Sequence, residues 1–380
     1  MIKLHIRFIL NLFICVLLLA SCRQKESAVS SKPEEKSFPV GYATGFSVHR
    51  AAGYMVVEVR DPWDTTKMLQ RYVLVPAEKE LPSELPQGVL VRTPLKRVVA
   101  ATSVHCGWLD MLGVREELVG VCESRYIDVP FVKQGLEVGQ MIDIGEAAAP
   151  DVERLIELAP DGMITSPLSN APYGRVEKTG IPQVKCVDYM EPTPLGRAEW
   201  IRFLALFFDR EALADSLFAE TVKAYEEVKA LVREVKECPT VVMEMKYGGM
   251  WYVSGGQSYM GCLLRDAGAA YCWADDAHAG SFPLSFEAVF EKGGEVDFWL
   301  IKYNRAEELG YDGLRKEYAP YANFEAWKKR HIFTCNTGVV SYYEEVPIRP
   351  DYLLKDFVKI FHPHLLPDYR LRYYRKMKEE

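Results

Sequence analysis

The chain has 380 residues, 49% of them hydrophobic, with 26 glycines and 22 prolines, an ordinary globular composition with enough length for about two domains. Its formal charge is −7, and it has no block of lysine and arginine, which argues against broad attraction to nucleic acid.

The first residues address location. Lys3 and Arg7 form a short basic region, Phe8 to Leu19 an apolar run, and Leu19-Ala20-Ser21-Cys22 follows directly. The apolar run is short for a membrane span of roughly 20 residues, and the small residues after it suit cleavage. The pattern looks like a bacterial lipoprotein signal over 1–21 with Cys22 as the acylated residue, so the expectation is an exported body held to a membrane and facing the periplasm. Without Lys3 and Arg7 the charge becomes −9. The polar stretch 22–37 reads as a tether. Seven cysteines remain from Cys106 to Cys335, odd in number and scattered, which argues against a disulfide framework or a metal cluster.

From 38 to 95, FSVHR, YMVVEVRDPW and MLQRYVLVPAE alternate like strands and predict a β layer on the first lobe. At Arg97 the texture changes. RVVAATS, ELVGVCES, DGMITSP and PQVKCVDYM read as strands separated by helical segments, which predicts right-handed crossovers and a parallel sheet. A helix in LGRAEWIRFLALFF leads into 209–237, a stretch without Gly or Pro whose apolar residues recur at three- and four-residue steps. It predicts a helix of roughly 40 Å, capped by Asp209 and stopped at Cys238-Pro239. Strand and helix then alternate again through TVVMEMKY, SYMGCLLRDAGA, SFEAVFEKG and DFWLIKY to a last amphipathic helix ending near Phe361. The expected architecture is α/β: an N-terminal lobe (38–208), an interlobe helix (209–237) and a C-terminal lobe (238–380). A long surface helix within one domain is the alternative.

Four segments resemble, in order, the periplasmic solute-binding proteins of iron-chelate and cobalamin ABC importers. They are IGEAAAPDVERLIELAPDGMI, GMWYVSGGQSYMGCLLRDAGAAY, PLSFEAVFEKGGEVDFWLI and PDYLLKDFVKIFHPHLL. The resemblance spans about Arg97 to Leu366, while the front section and the EPTPLGRAEW insert depart from it. It implies two lobes with parallel-type sheets joined by one rigid helix, the class III form, with a ligand cleft between them. It also implies partnership with an ABC permease and ATPase, and a monomer that is no enzyme and has no resident cofactor. By motif position Glu153 and Glu287 become the glutamates that dock on the permease.

Cleft candidates follow from position after each predicted strand, where open α/β sheets bind ligands. They are His105, Trp108, Arg125, Tyr126 and Tyr173 in the first lobe, and Tyr247, Trp251, Tyr252, Tyr303, Asn304, Arg305 and Tyr343 in the second. Aromatic faces would cover a large planar ligand, arginines would meet an anionic chelate, and His105 is a candidate axial ligand. The expected ligand is a siderophore or haem, with cobalamin as the alternative. A surface lipoprotein that binds a protein or glycan without transport is the reading from another class. No hydrolase, zinc-protease, dinucleotide or P-loop spacing is present.

Overall fold

The computed structural model describes residues 36–169 and 174–379, and Ser37–Glu380 form one compact unit. Its front layer is a meander of Phe46–Ala51, Tyr54–Arg60 and Met68–Pro76, with Val89–Thr93 added in parallel. Alternation places Phe46, Val48, Val57, Val59, Tyr72 and Leu74 inward, in one core with Trp200, Phe203, Phe207 and Phe208. Tyr72 ties this layer to the first lobe. Its hydroxyl donates to the Gln183 carbonyl at 2.7 Å and accepts the Lys185 N–H at 2.7 Å, which satisfies part of a strand edge.

The first lobe's sheet runs in the order Gln183–Lys185, Gly162–Thr165, Val98–Ala100, Leu118–Val121, Ile142–Asp143, all parallel. The second lobe repeats the plan with Ala270–Tyr271, Thr240–Met243, Phe298–Tyr303 and Ile332–Asn336 in parallel, and the tail segment Arg375–Lys376 antiparallel at the edge. Both sheets are buried β-branched and aromatic runs, as helix-covered parallel sheets require. Among the described residues no helix is long and apolar enough to cross a membrane, and all seven cysteines from Cys106 to Cys335 are free thiols.

The connecting helix is Glu211–Leu231, shorter than the sequence suggests. Asp209 does not cap it: its φ is +56°, and Arg210 occupies the cap position without a side-chain hydrogen bond. The far end stops early because burial thins. Val228 is 4% exposed but Leu231 is 40% exposed, and Val232 packs only partly against the second core, too little to reward continuation. Ala214 and Phe218 pack into the first core, Tyr225 and Val228 into the second, and Val222 touches both. Two further residues cross over: Leu195 belongs to the second core and Ile348 to the first.

The EPTPLGRAEW insert has a structural role. The Glu199 carboxylate accepts the N–H groups of Gly41, Tyr42 and Ala43, and the Glu191 carboxylate those of Thr44 and Gly45 together with Trp200 Nε1. The entering chain is thereby fastened to the helix Pro194–Ala205.

Candidate functional site

A cavity of about 530 Å³ lies beyond the C-terminal ends of the second lobe's strands. Glu244 to Tyr247 reach it from the end of Thr240–Met243, Tyr303 and Asn304 from the end of Phe298–Tyr303, and Met260 from the following helix Tyr259–Asp266. One wall is a small antiparallel sheet of Lys246–Tyr247, Met250–Ser254 and Ser281–Leu284. Gly248 and Gly249 make its tight turn with φ of +58° and +91°, the pair of positive values that a type I′ hairpin needs. Alternation sorts its side chains. Trp251 and Val253 are buried in the core, whereas Tyr247 is 80% and Tyr252 46% exposed.

Glu244 and Lys302 face each other at the cavity, Nζ to Oε1 3.0 Å, each side chain 22% exposed. Glu244 holds a left-handed φ of +65°, and its backbone is fixed on both sides: the N–H donates to Leu300 O at 2.8 Å and the carbonyl accepts Trp299 Nε1 at 2.7 Å. A non-glycine residue kept there by its surroundings is strained backbone at a site. Burial alone would lower the Lys302 ammonium's affinity for its proton, but the Glu244 carboxylate reverses this and raises it.

Tyr247, Tyr252, Tyr303 and Asn304 therefore meet at one cavity. Tyr303 forms buried wall, its hydroxyl accepting the Leu309 N–H at 2.9 Å. Tyr343 is 43% exposed and sets its ring edge-on to Tyr342. Arg305 is paired with Glu317, and Arg125 with Glu146 at 3.0 Å, its guanidinium 4.7 Å from the exposed Tyr126 ring. Three candidates are core residues instead. Trp108 is fully buried in the first core, and Trp251 is stacked on Trp299 with its Nε1 donating to Met243 O. His105 is fully buried, its Nδ1 3.2 Å from Thr102 Oγ1 and its Nε2 3.6 Å from Asp188, so it is not presented to a ligand. Position after a strand sets the end of the lobe a residue occupies but not the direction of its side chain. Tyr173 and Cys22 lie outside the described residues.

Glu244, Lys302, Lys246, Met245, Met260, Ser254 and Ser281 also line this cavity and were not singled out from sequence. The alternation of MWYVS after a Gly-Gly turn was the available signal for the wall. Glu153 and Glu287 are exposed and occupy matching places, each the second residue of its helix. Asp151 caps one helix by accepting the Arg154 N–H, and Ser285 caps the other by accepting the Ala288 N–H. The backbone amide of Glu287 and the Ser285 side chain hold the Glu287 carboxyl below its ordinary range.

His105 belongs to a buried chain of groups that runs toward the second lobe. Asp188 accepts from Arg197 Nε at 3.0 Å, the Arg197 guanidinium lies 5.5 Å from the Tyr259 ring, and Tyr259 donates to Val346 O at 3.2 Å. Burial pushes the Asp188 carboxyl up, but Arg197 and His105 outweigh it and leave it below the usual carboxylate range. The unfolded chain therefore takes up this proton first. The stability involved is present above a pH of about 4 and is lost as pH falls through the lower folded value. Urea melts across acid pH are expected to show this loss, flattened in Asp188→Asn; an unchanged acid limb in that variant would remove Asp188 from the account.

A family model described as periplasmic binding protein matches residues 98–337. Two uncharacterised lipoproteins of Methanocaldococcus jannaschii are similar to the chain. One is 26% identical, covering 89% of this chain and 87% of the relative; the other is 21% identical, covering 82% and 77%. Among solved structures, a periplasmic heme-binding protein from Roseiflexus sp. superposes with a TM-score of 0.56 at 20% identity, over 71% of this chain and 99% of that one. A protein of an Fe3+-hydroxamate transport system from Saccharomonospora viridis gives 0.56 at 18% identity, over 73% and 96%. At these identities the structural likeness speaks to the fold.

Proposed function

Because the chain belongs to the periplasmic binding protein family, in its class III form, we propose that it is the lipid-anchored solute-binding component of an ABC importer. Its ligand on this reading is an iron chelate, siderophore or haem, which it delivers to the permease. The observation that carries the reading is the cavity of about 530 Å³ at the strand ends of the second lobe, with Tyr247 and Tyr252 on one wall. That is where open α/β sheets take ligands, and the volume suits a large one. The relatives called lipoproteins support anchoring through Cys22, and the Roseiflexus and Saccharomonospora neighbours support a metal chelate. Cobalamin is the second reading, favoured by the pairing of Arg125 with Glu146 and of Arg305 with Glu317, which leaves neither guanidinium waiting for an anion. Calorimetric titration with haem, cyanocobalamin and ferric siderophores tests both. Saturable one-to-one binding of one of them is expected, and binding of none would overturn the assignment.

Glu153 and Glu287 would select the docking orientation on the permease, since exposed charges steer encounter more than they add affinity. Reversing both, Glu153→Lys with Glu287→Lys, is expected to cut permease-dependent uptake at least ~10-fold while leaving ligand affinity unchanged. Uptake at the original rate would remove these residues from the interface.

A further inference from the structure

Resting on that reading, we infer that the chelate taken by this cavity carries little net charge, neutral or singly charged, and is gripped by its apolar face on a tyrosine and methionine surface. The register supplies the surface. Tyr247 pairs with Met250, Lys246 with Trp251, and Tyr252 with Pro283. Cross-strand partners share a face and neighbours along a strand do not. Met245, Tyr247, Tyr252 and Pro283 thus lie on one side, and Trp251 on the other, in the core. Met260 adds a second thioether at the cavity, a soft group that adapts to an irregular apolar outline.

Charge is the second observation. Among the described residues, three cations at or beside this end of the lobes are already paired. Lys302 is held by Glu244, Arg305 by Glu317 and Arg125 by Glu146. Lys246 also lines the cavity, its ammonium 4.0 Å from the Tyr318 ring centroid and, among the described residues, without an ion pair, so a single positive charge is on offer there. In the first lobe Glu123 adds a further carboxyl, raised by burial and by its hydrogen bond to Glu146. A polyanion drawing on Lys302 would have to break its little-exposed pair with Glu244 and leave that carboxylate facing its own charge, which is costly where water is scarce. An uncharged chelate displaces nothing and gains the aromatic contacts.

The test titrates the purified protein calorimetrically, at low and high salt, with a neutral ferric trihydroxamate, cyanocobalamin and a trianionic ferric tris-catecholate. A neutral chelate is expected to bind at least ~100-fold more tightly than the trianion, with a Kd that moves less than about threefold with salt. Tyr247→Ala with Tyr252→Ala, both exposed, is expected to keep the melting temperature and weaken that binding ~10- to 100-fold. Tightest binding by the tris-catecholate, falling with salt, would overturn the inference and leave the chelate-binding reading standing. Tight neutral binding that ignores the two tyrosines would overturn the assignment to this face. Binding of none of the three would overturn the inference, and the proposed function falls with it only if haem also fails to bind.

Discussion

Glu199→Ala is expected to destabilise the protein by about 3–5 kcal/mol, read as a lower melting temperature and a lower urea midpoint. The carboxylate is fully buried, accepts the N–H groups of three successive residues, Gly41 to Ala43, and pairs with Arg202 at 2.7 Å. Alanine leaves those donors without an acceptor and a half-buried guanidinium with only Asp215 and the Pro39 carbonyl. Glu199→Gln, which keeps the shape and one acceptor oxygen, should recover part of the loss. A melting temperature within a degree or so of the parent protein would show that the Glu199 contacts contribute nothing measurable to the fold.

Lys302→Met is expected to cost about 2–4 kcal/mol, because it strands the Glu244 carboxylate, little exposed, in a strained backbone position. Adding Glu244→Gln removes the stranded charge and should restore most of the stability, so the two losses are strongly non-additive. Equilibrium urea unfolding of the parent, both single variants and the double variant closes the cycle. Simple additivity would mean that the 3.0 Å pair carries no net interaction. Because both groups face the cavity, the same four proteins titrated with ligand would separate a role in holding the wall from a role in holding the solute.

Much of this molecule was legible from residue order. The alternating blocks, the helix after Asp209 and the front strands were visible because period 2 and period 3.6 are local properties of the chain. Helix propensity does not register where a core thins, so Val232 and Val235 extended the stripe past Val228, the last buried residue of the helix. Of the aromatic residues after the strands, Tyr247, Tyr252 and Tyr303 line one cavity. Their directions were not available, and Trp251 and Tyr252, adjacent in sequence, face opposite ways. Glu244 and Lys302 were invisible for another reason: their meaning is a pairing across 58 residues. The insert posed the same difficulty on a larger scale, since Glu199 meets backbone more than 150 residues away.

Val222 in both cores, with Leu195 and Ile348 each reaching into the opposite one, leaves the lobes little freedom to swing. On the proposed reading, a protein built this way would have nearly the same outline full and empty. With docking through Glu153 and Glu287, an unloaded copy would then occupy the permease almost as well as a loaded one. On that same reading, making more of the protein beyond the supply of solute would slow import, with empty copies queueing at the same door.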